Sequence, residues 1–197
     1  VVAHSRFHWA LLFSRFFCIM PIGKDAESIM EGKNEGIIGI NFNGVVIIDK
    51  HESPLLRLTF MEISGVSVNR NLDDVAIAFV ITTVRGKDYQ FGCQNCADVR
   101  ELIATFNEGL RSRSKYVVAM QANPDKVGSG SEGSKFLRFR KGDLIMLDEP
   151  AGENLLTSSW ASGTNASNNA SGDFPVDCVW VLPTLTKPAP EIVALFK

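Results

Sequence analysis

The sequence has little tyrosine. It holds 2 Tyr and 3 Trp against 13 Phe. Tyrosine joins an apolar ring to a hydrogen-bonding hydroxyl, and it is enriched where proteins bind partners. Phenylalanine has no polar group, so we expect most of it to fill cores. The predicted core rings are Phe13, Phe60, Phe79, Phe106, Phe139 and Phe174.

Long apolar runs and an excess of one charge are also missing. No run reaches the roughly 18 residues that span a bilayer, and Arg15 interrupts the apolar stretch near the N-terminus. The formal net charge is −2, so no overall positive field attracts nucleic acid. We therefore predict a folded, cytoplasmic chain that binds no nucleic acid.

Cysteine is too scarce for a disulfide framework, with four in the chain. Cys93 and Cys96 have metal or redox spacing, but no second pair completes a set, and we interpret them as reduced thiols at strand ends. His4, His8 and His51 lack the further acid or thiol that a zinc site needs. A phosphate-binding glycine loop and a nucleophile elbow are both missing. We predict no metal, no cofactor and no catalytic residue.

The first part of the chain is predicted to form seven strands and one helix. Asn43-Gly44 between two apolar runs indicates a hairpin. After Asn95, an apolar stripe at helical spacing predicts an amphipathic helix: Val99, Leu102, Ile103, Phe106 and Leu110. The β-rich segments are 12–19, 36–42, 45–49, 55–60, 63–68, 75–83 and 88–91. Seven strands closed by a C-terminal helix is the order of the pleckstrin-homology-like fold.

The second part is predicted to be a small five-strand barrel. A Gly/Ser-rich loop covers 124–135, and residues 162–172 are expected to form a polar hairpin loop. The strands are placed at 116–120, 144–147, around Trp160, at 172–175 and at 178–182. The segments 139–145, Trp160 and 172–179, in this order, resemble the signature of SH3 domains.

Four further segments resemble class VII unconventional myosin tails: 2–16, 83–86, 110–119 and 172–188. The resemblance implies a mainly β chain in which a pleckstrin-homology-like FERM third lobe is followed by an SH3-like barrel. The implied domains are the end of a preceding lobe or linker at 1–10, the lobe at 11–114, the SH3 domain at 116–182 and a linker to the next tail domain at 183–197. Val1 and Lys197 are expected to continue into a larger protein.

The resemblance also implies a function. The chain would be a non-catalytic, cargo-binding and regulatory part of an actin-based motor whose actin-activated ATPase lies far upstream. It would be cytoplasmic and associated with the cytoskeleton. Cargo or adaptor proteins would bind the FERM lobe. The edge expected to receive them is formed by Ile63, Val66 and Val68, with Phe106 on the helix.

The SH3 resemblance carries over only part of the groove that binds proline-rich peptides. Trp160 and Pro175 are retained, whereas Gln121, Asn123 and Cys178 stand where the pattern has tyrosines. In the first long loop, the acids Asp125 and Glu132 are balanced by Lys126 and Lys135. We therefore expect no PxxP binding. The short link after the helix leads us to expect an SH3 domain that packs on the FERM lobe.

An alternative function is a membrane-targeting adaptor that makes weak contacts with acidic phospholipid through the first lobe. Its basic residues would be Lys24, Lys33, Lys50, Arg57 and Arg70. Four acids, Asp25, Glu27, Glu31 and Glu35, lie around the first of these, which favours a solvated surface. A talin-like or kinesin-tail FERM scaffold is a third option, and the SH3-like segment directly after the lobe argues against it.

Overall fold

The structure is a computed structural model. It describes residue 11 and residues 13–51, 53–123, 136–152 and 154–197. The chain divides into two compact units, 1–107 and 108–197, and each is described by itself.

The first unit is a seven-stranded antiparallel arrangement in the order β4-β3-β2-β1-β7-β6-β5. Strand β1 pairs with β2 through Arg15–Ile19 and with β7 through Met20–Pro21, so it joins the two halves. The elements are β1 (Arg15–Pro21), α1 (Lys24–Met30), β2 (Gly36–Asn41), β3 (Gly44–Ile48), β4 (Pro54–Leu58), a 3₁₀ turn (Phe60–Glu62), β5 (Ile63–Arg70), β6 (Ala76–Thr83), β7 (Asp88–Gly92) and α2 (Cys96–Arg113). The mainly β fold and the strand count are as predicted.

The predicted hairpin forms between β2 and β3, but its turn lies one residue earlier than the sequence indicated. Asn41 pairs with Gly44, so Phe42 and Asn43 make the turn. The backbone N–H of Asn43 donates to Oδ1 of Asn41 at 2.8 Å. Gly44 has φ 138°, and an added Cβ would lie 2.1 Å from the Leu58 carbonyl oxygen. Glycine is therefore required after the turn rather than within it.

Helix α1 was not predicted. The charged stretch Lys24–Met30 was interpreted as a solvated loop, yet it forms seven residues of helix. Ala26 and Met30, four positions apart, are fully buried, while Asp25 and Glu27 lie in the first turn, where negative charge suits the helix dipole. Two buried positions in seven residues give too short a stripe to stand out from a charged loop.

Aromatic rings form much of the core of the first unit. Phe79 and Phe91 are completely buried, with their ring centroids 5.7 Å apart. Phe60 stacks on Phe106 of α2 at 5.8 Å. Phe13 is an exception to the prediction, since it is 59% exposed. It precedes β1 at φ 62°, outside the alternation that turns side chains of the strand inward.

The second unit contains a five-stranded antiparallel sheet in the order β11-β10-β9-β8-β12. Its elements are β8 (Tyr116–Ala119), β9 (Leu144–Leu147), α3 (Asn154–Thr157), β10 (Trp160–Asn165), β11 (Ser171–Pro175), a 3₁₀ turn (Val176–Cys178), β12 (Val179–Val181), α4 (Pro190–Val193) and a last 3₁₀ turn (Ala194–Phe196). Phe139 and Phe174 meet edge to face in its core at 5.7 Å. The predicted number of strands is found.

The expected polar loop at 162–172 is largely strand. Thr164 pairs with Ser171 across β10 and β11, and their hydroxyls lie 2.8 Å apart. A composition of small polar residues predicts a loop, but here two hydroxyl residues form a cross-strand pair on an exposed part of the sheet. Only residues 166–170 connect the two strands.

None of the helices within the described ranges is long and apolar enough to cross a membrane.

The segment that follows β12 packs against the rest of the second unit. It includes the short helix α4, and Phe196 beyond it is buried. An added Cβ at Gly142 would lie 2.5 Å from Cγ of Lys197. The end of the chain thus lies against the turn at Gly142.

Candidate peptide-binding surfaces

The two retained groove residues lie together in the second unit. Trp160 of β10 pairs directly with Pro175 of β11. The indole is 50% exposed, so it forms a wall open to solvent. Pro175 is half-buried at the end of its strand, a position that a residue without an N–H donor tolerates.

The three substituted positions do not replace the missing walls. The side-chain amide of Asn123 donates to the Leu137 carbonyl at 2.7 Å, so this side chain is held by backbone. Gln121 is exposed, and its backbone N–H donates to the Cys178 carbonyl at 3.3 Å. Cys178 is half-buried and packs against the core. The three positions where the SH3 pattern has tyrosines thus carry two polar amides and a small thiol.

Phe136 is an aromatic neighbour of Trp160 that sequence reasoning missed. The two ring centroids are 5.4 Å apart, and Phe136 is 58% exposed. In the segment 136–139, Phe136 and Arg138 are exposed while Leu137 and Phe139 are buried. That alternation is visible in the sequence and could have placed Phe136 on the outer face. The residues Asp125, Lys126, Glu132 and Lys135, expected to set the charge of this region, lie outside the described residues.

The predicted peptide edge of the first unit lies on β5, at the end of the strand order. Strand β5 is eight residues long, and within the described part of the chain it pairs with β6 alone, through seven residue pairs. A register shift between Ile63 and Gly65 brings Ile63 opposite Thr83, while Val66 and Val68 pair with Ile81 and Phe79. Ile63, Val66 and Val68 thus share the inner face.

Phe106 is the helical member of the predicted edge. It is half-buried and stacks on Phe60, which belongs to the 3₁₀ turn directly before β5. The stack connects α2 to the start of β5. Of the four predicted residues, the structure places three on one strand and the fourth on a helix tied to the beginning of that strand.

The basic residues of the alternative lipid surface are partly paired with carboxylates. Lys33 Nζ lies 3.2 Å from Asp49, and Arg70 lies 3.6 Å from Asp74. Asp49 also accepts the backbone N–H groups of Ser53 and His51, at 2.9 and 2.8 Å. These hydrogen bonds, together with Lys33, lower the pKa of the Asp49 carboxyl below its usual value of 3.8, against the effect of burial. The ion pairs leave less free positive charge than the sequence count suggested.

The cysteine pair lies at the start of α2. Cys93 follows β7, and Cys96 is the first residue of the helix rather than the end of a strand. Both are buried, and burial raises the pKa of each thiol. Cys96 Sγ donates to the Cys93 carbonyl at 2.8 Å. All four cysteines are free thiols, and Cys18 is exposed.

Metal ligation was not expected. Across the ranges that the structure describes, no group of three or more His, Cys, Asp or Glu side chains could hold a metal ion. His51 lies in the turn at Asp49, where its backbone N–H is used. His4 and His8 lie outside the described residues.

Comparison with known proteins defines the first unit. The family model described as Myosin-X FERM PH domain-like matches residues 13–113, which makes this unit a pleckstrin-homology-like FERM lobe. The chain belongs to the family of FERM lobes found in class VII and related unconventional myosin tails. Such a lobe is a non-catalytic tail domain, and the motor ATPase of these proteins lies in the head.

Relatives match the whole chain. It is 40% identical to Myosin-VIIa of Drosophila melanogaster and 36% identical to Unconventional myosin heavy chain 6 of Caenorhabditis elegans, over 100% of the chain in both cases. It is 29% identical to Unconventional myosin-VIIb of Mus musculus over 98% of the chain. The chain spans 9% of the length of each of these relatives.

Two solved structures show local similarity. The human Myosin 7b C-terminal MyTH4-FERM domain, in complex with the harmonin-a PDZ3 domain, matches with a TM-score of 0.43 and 19% identity over 55% of this chain and 20% of that one. The Dictyostelium Discoideum Myosin VII MyTH4-FERM MF2 domain matches with a TM-score of 0.38 and 18% identity, over 49% and 16%.

Proposed function

We propose that the chain is a cargo-binding and regulatory part of an actin-based myosin tail, and that its FERM lobe captures a protein partner along β5. The observation that carries this proposal is the edge of the eight-residue strand β5, which pairs on one side only in the described part of the chain. An unpaired strand edge offers backbone donors and acceptors to an extended peptide. In this role the chain is cytoplasmic and associated with the cytoskeleton.

The opposite edge of the first unit provides a comparison. Strand β4 is five residues long and begins at Pro54, which has no N–H to donate. Strand β5 has no proline, and its exposed and inward-facing residues alternate from Gly65 to Asn69. Of the two edges, β5 therefore offers the longer one to a partner strand.

Affinity capture followed by hydrogen exchange tests this proposal. The complete tail and this chain alone are used as bait, and amide exchange is measured on the complex with the recovered partner. We expect alternate amides of β5 to gain protection, because only every second N–H of an edge strand points outward. The β4 amides serve as the internal control. Protection on β4, or on neither edge, would contradict strand addition.

We further propose that 11–114 is the FERM lobe, 116–182 an SH3-like domain and 183–197 a linker toward the next tail domain. The strand order β11-β10-β9-β8-β12 supports an SH3-like unit, since the last strand pairs with the first. The groove of this unit is atypical, and we propose that it does not bind PxxP peptides.

The SH3-like domain is proposed to pack on the FERM lobe as a structural element. Support comes from the two residues between α2 and β8, which cannot separate two modules by more than roughly 10 Å. The end of α2 also takes part in the second unit, because the Ser112 carbonyl accepts from Gly152 N–H at 2.8 Å. NMR relaxation of the whole chain should yield one tumbling time. Two distinct tumbling times would overturn the rigid arrangement.

The alternative function, membrane targeting through acidic phospholipid, has less support. Lys33 and Arg70 are engaged by carboxylates, and each basic group near an anionic surface contributes only about 1 kcal/mol. Pelleting with vesicles that contain phosphatidylserine at physiological salt separates the two functions. We expect the chain to remain in the supernatant, and salt-sensitive pelleting would favour the alternative.

A further inference from the structure

The hairpin that joins β5 to β6 in the first unit presents a leucine to solvent at its tip. Leu72 is fully exposed, whereas Phe79 and Ile81, farther along β6, are completely buried. Val75 and Ile77 are each more than half exposed. Ile77 lies two residues before Phe79 and therefore shares its side of the strand. The apolar side of β6 thus continues beyond the core and onto the hairpin.

Hydrogen bonds hold the turn at this tip. The backbone N–H of Asn71 donates to the Val75 carbonyl at 3.0 Å, and the Asn71 carbonyl accepts from the Asp74 N–H at 3.1 Å. The side-chain oxygen Oδ1 of Asn71 accepts from the N–H groups of Val75 and Asp73, at 2.9 and 3.1 Å. Arg70 Nη1 donates to the Asp74 carbonyl at 2.6 Å. The tip is therefore ordered before anything binds to it, which lowers the entropic cost of binding.

The leucine is the one residue of this turn that the turn itself does not explain. Asn71, Asp73 and Asp74 are typical turn residues, because their short polar side chains bond nearby backbone and tolerate a positive φ, which is 61° at Asp74. Leucine has neither property, and a fully exposed side chain adds nothing to the core. Single exposed apolar residues are common on protein surfaces. Here three of them lie close together along one hairpin, which favours an interaction surface.

The charge beside the leucine is negative. Asp73 and Asp74 follow Leu72 directly, and both are exposed. The Asp74 carboxylate lies 3.6 Å from Arg70, whereas Asp73 forms no ion pair with the residues that the structure describes. An anionic lipid surface repels such a carboxylate, and a basic protein surface attracts it. The charge therefore favours a protein partner over a membrane.

We propose that the β5–β6 hairpin is a second partner-binding site, in which Leu72 inserts into an apolar pocket with a basic rim on a folded protein. The fully exposed tip is convex, so the partner must supply the concave surface. Val75 and Ile77 would be covered at the edge of the same contact, and the basic rim would face Asp73. The proposal goes beyond strand addition at β5 and does not depend on it, because it uses side chains of the tip rather than backbone groups of the edge.

Affinity capture with the full chain and matched variants is the first step of the test, in an extract of the cells that produce the protein. Leu72→Ser removes the apolar side chain, and Asp73→Lys reverses the unpaired charge. The controls are Leu185→Ser and Asp88→Lys, an exposed leucine and an exposed aspartate that lie outside the hairpin. Equal midpoints in urea verify that all the chains are folded. We expect a protein that the parent and both controls retain and that both hairpin variants lose.

The protein that shows this pattern is then purified and titrated with the same chains by calorimetry. The Kd should rise at least about tenfold for Leu72→Ser, because the partner's pocket loses its main apolar contact. Asp73→Lys should weaken binding and reduce its dependence on salt, as expected for a charge at the rim of an interface. Both control variants should bind like the parent chain.

The proposal is overturned if no captured protein is lost with both hairpin variants, or if the purified protein binds Leu72→Ser as tightly as the parent chain. Pelleting with phosphatidylserine vesicles that requires Leu72 would overturn it in favour of a membrane. Dimerisation that requires Leu72, measured by sedimentation velocity, would overturn it in favour of a second copy of this chain. Protection of alternate β5 amides reports on the other site and should not change in Leu72→Ser, so the failure of either proposal leaves the other standing.

Discussion

Trp160 and Pro175 pair directly across β10 and β11, so the two groove residues that the chain retains are neighbours in space. Two nearby positions where the SH3 pattern has tyrosines hold other residues. Gln121 is exposed, and the side-chain amide of Asn123 donates to the Leu137 carbonyl. If the second unit is the SH3-like domain proposed above, most of the aromatic surface of its groove is replaced.

The first prediction concerns proline-rich peptides. Three aromatic walls are absent, at about 1 kcal/mol each, which together weaken binding by roughly a hundredfold or more. A calorimetric titration of the chain with PxxP peptides should give no measurable affinity, and Trp160→Ala should change nothing. A typical SH3 domain with the same peptides is the positive control. Micromolar affinity that Trp160→Ala abolishes would contradict the prediction.

The sequence allowed the number and approximate positions of the strands in both units to be predicted, because hydrophobic alternation and turn residues are local signals. Helix α2 was equally clear: its stripe repeats over about three turns, and Val99 and Ile103 are fully buried. Helix α1 was missed because only Ala26 and Met30 are buried in it. A short helix is stabilised by what it packs against, and that information is not local.

The residues of the candidate sites could likewise be predicted where the signal is local, and were missed where a contact joins distant parts of the chain. Trp160 and Pro175 could be found by motif, and the structure brings them together. Phe136 was missed as a partner of Trp160 because the two residues are 24 positions apart and no local pattern indicates their contact. The ion pair of Lys33 with Asp49 likewise joins a position after α1 to the end of β3, and a count of basic residues cannot reveal it.

The second prediction concerns Gly44. Gly44→Ala would force a side chain into a positive-φ position and against the Leu58 carbonyl, 2.1 Å from the new Cβ. We expect the free energy of unfolding to fall by at least about 2 kcal/mol, measured by urea denaturation. Gly65→Ala is the matched control within the same unit, since no atom lies within 4 Å of its added Cβ. A loss for Gly44→Ala no greater than for Gly65→Ala would refute the steric argument.

The third prediction concerns thiol reactivity. Cys18 is exposed, whereas burial raises the pKa of Cys93 and Cys96 and keeps both as unreactive thiols. Brief treatment with iodoacetamide near pH 7.5 should alkylate Cys18 well before the other two, as read by peptide mass spectrometry. The control is the same treatment in urea, where the difference in alkylation rate between Cys18 and the two other cysteines should disappear. Early modification of Cys96 in the folded chain would show that the start of α2 is open.

The fourth prediction concerns the pH dependence of stability. Backbone N–H groups of Ser53 and His51, with Lys33, lower the pKa of Asp49 in the folded state. A carboxyl whose folded pKa is depressed stabilises the fold above its unfolded pKa, and the contribution is lost as the pH falls through the folded value. The difference in unfolding free energy between the parent chain and Asp49→Asn should therefore be constant from about pH 7 to pH 5 and shrink below about pH 4.

Urea denaturation at a series of pH values measures this difference. Lys33→Met should reproduce part of the loss at neutral pH, because it removes the ion pair but leaves both backbone hydrogen bonds to Asp49. Asp73→Asn, an exposed carboxylate in the turn between β5 and β6, is the control, with an expected change within about 0.5 kcal/mol. A parent-to-Asp49→Asn difference that grows on acidification would reverse the sign and show that Asp49 is not held as a stabilised carboxylate.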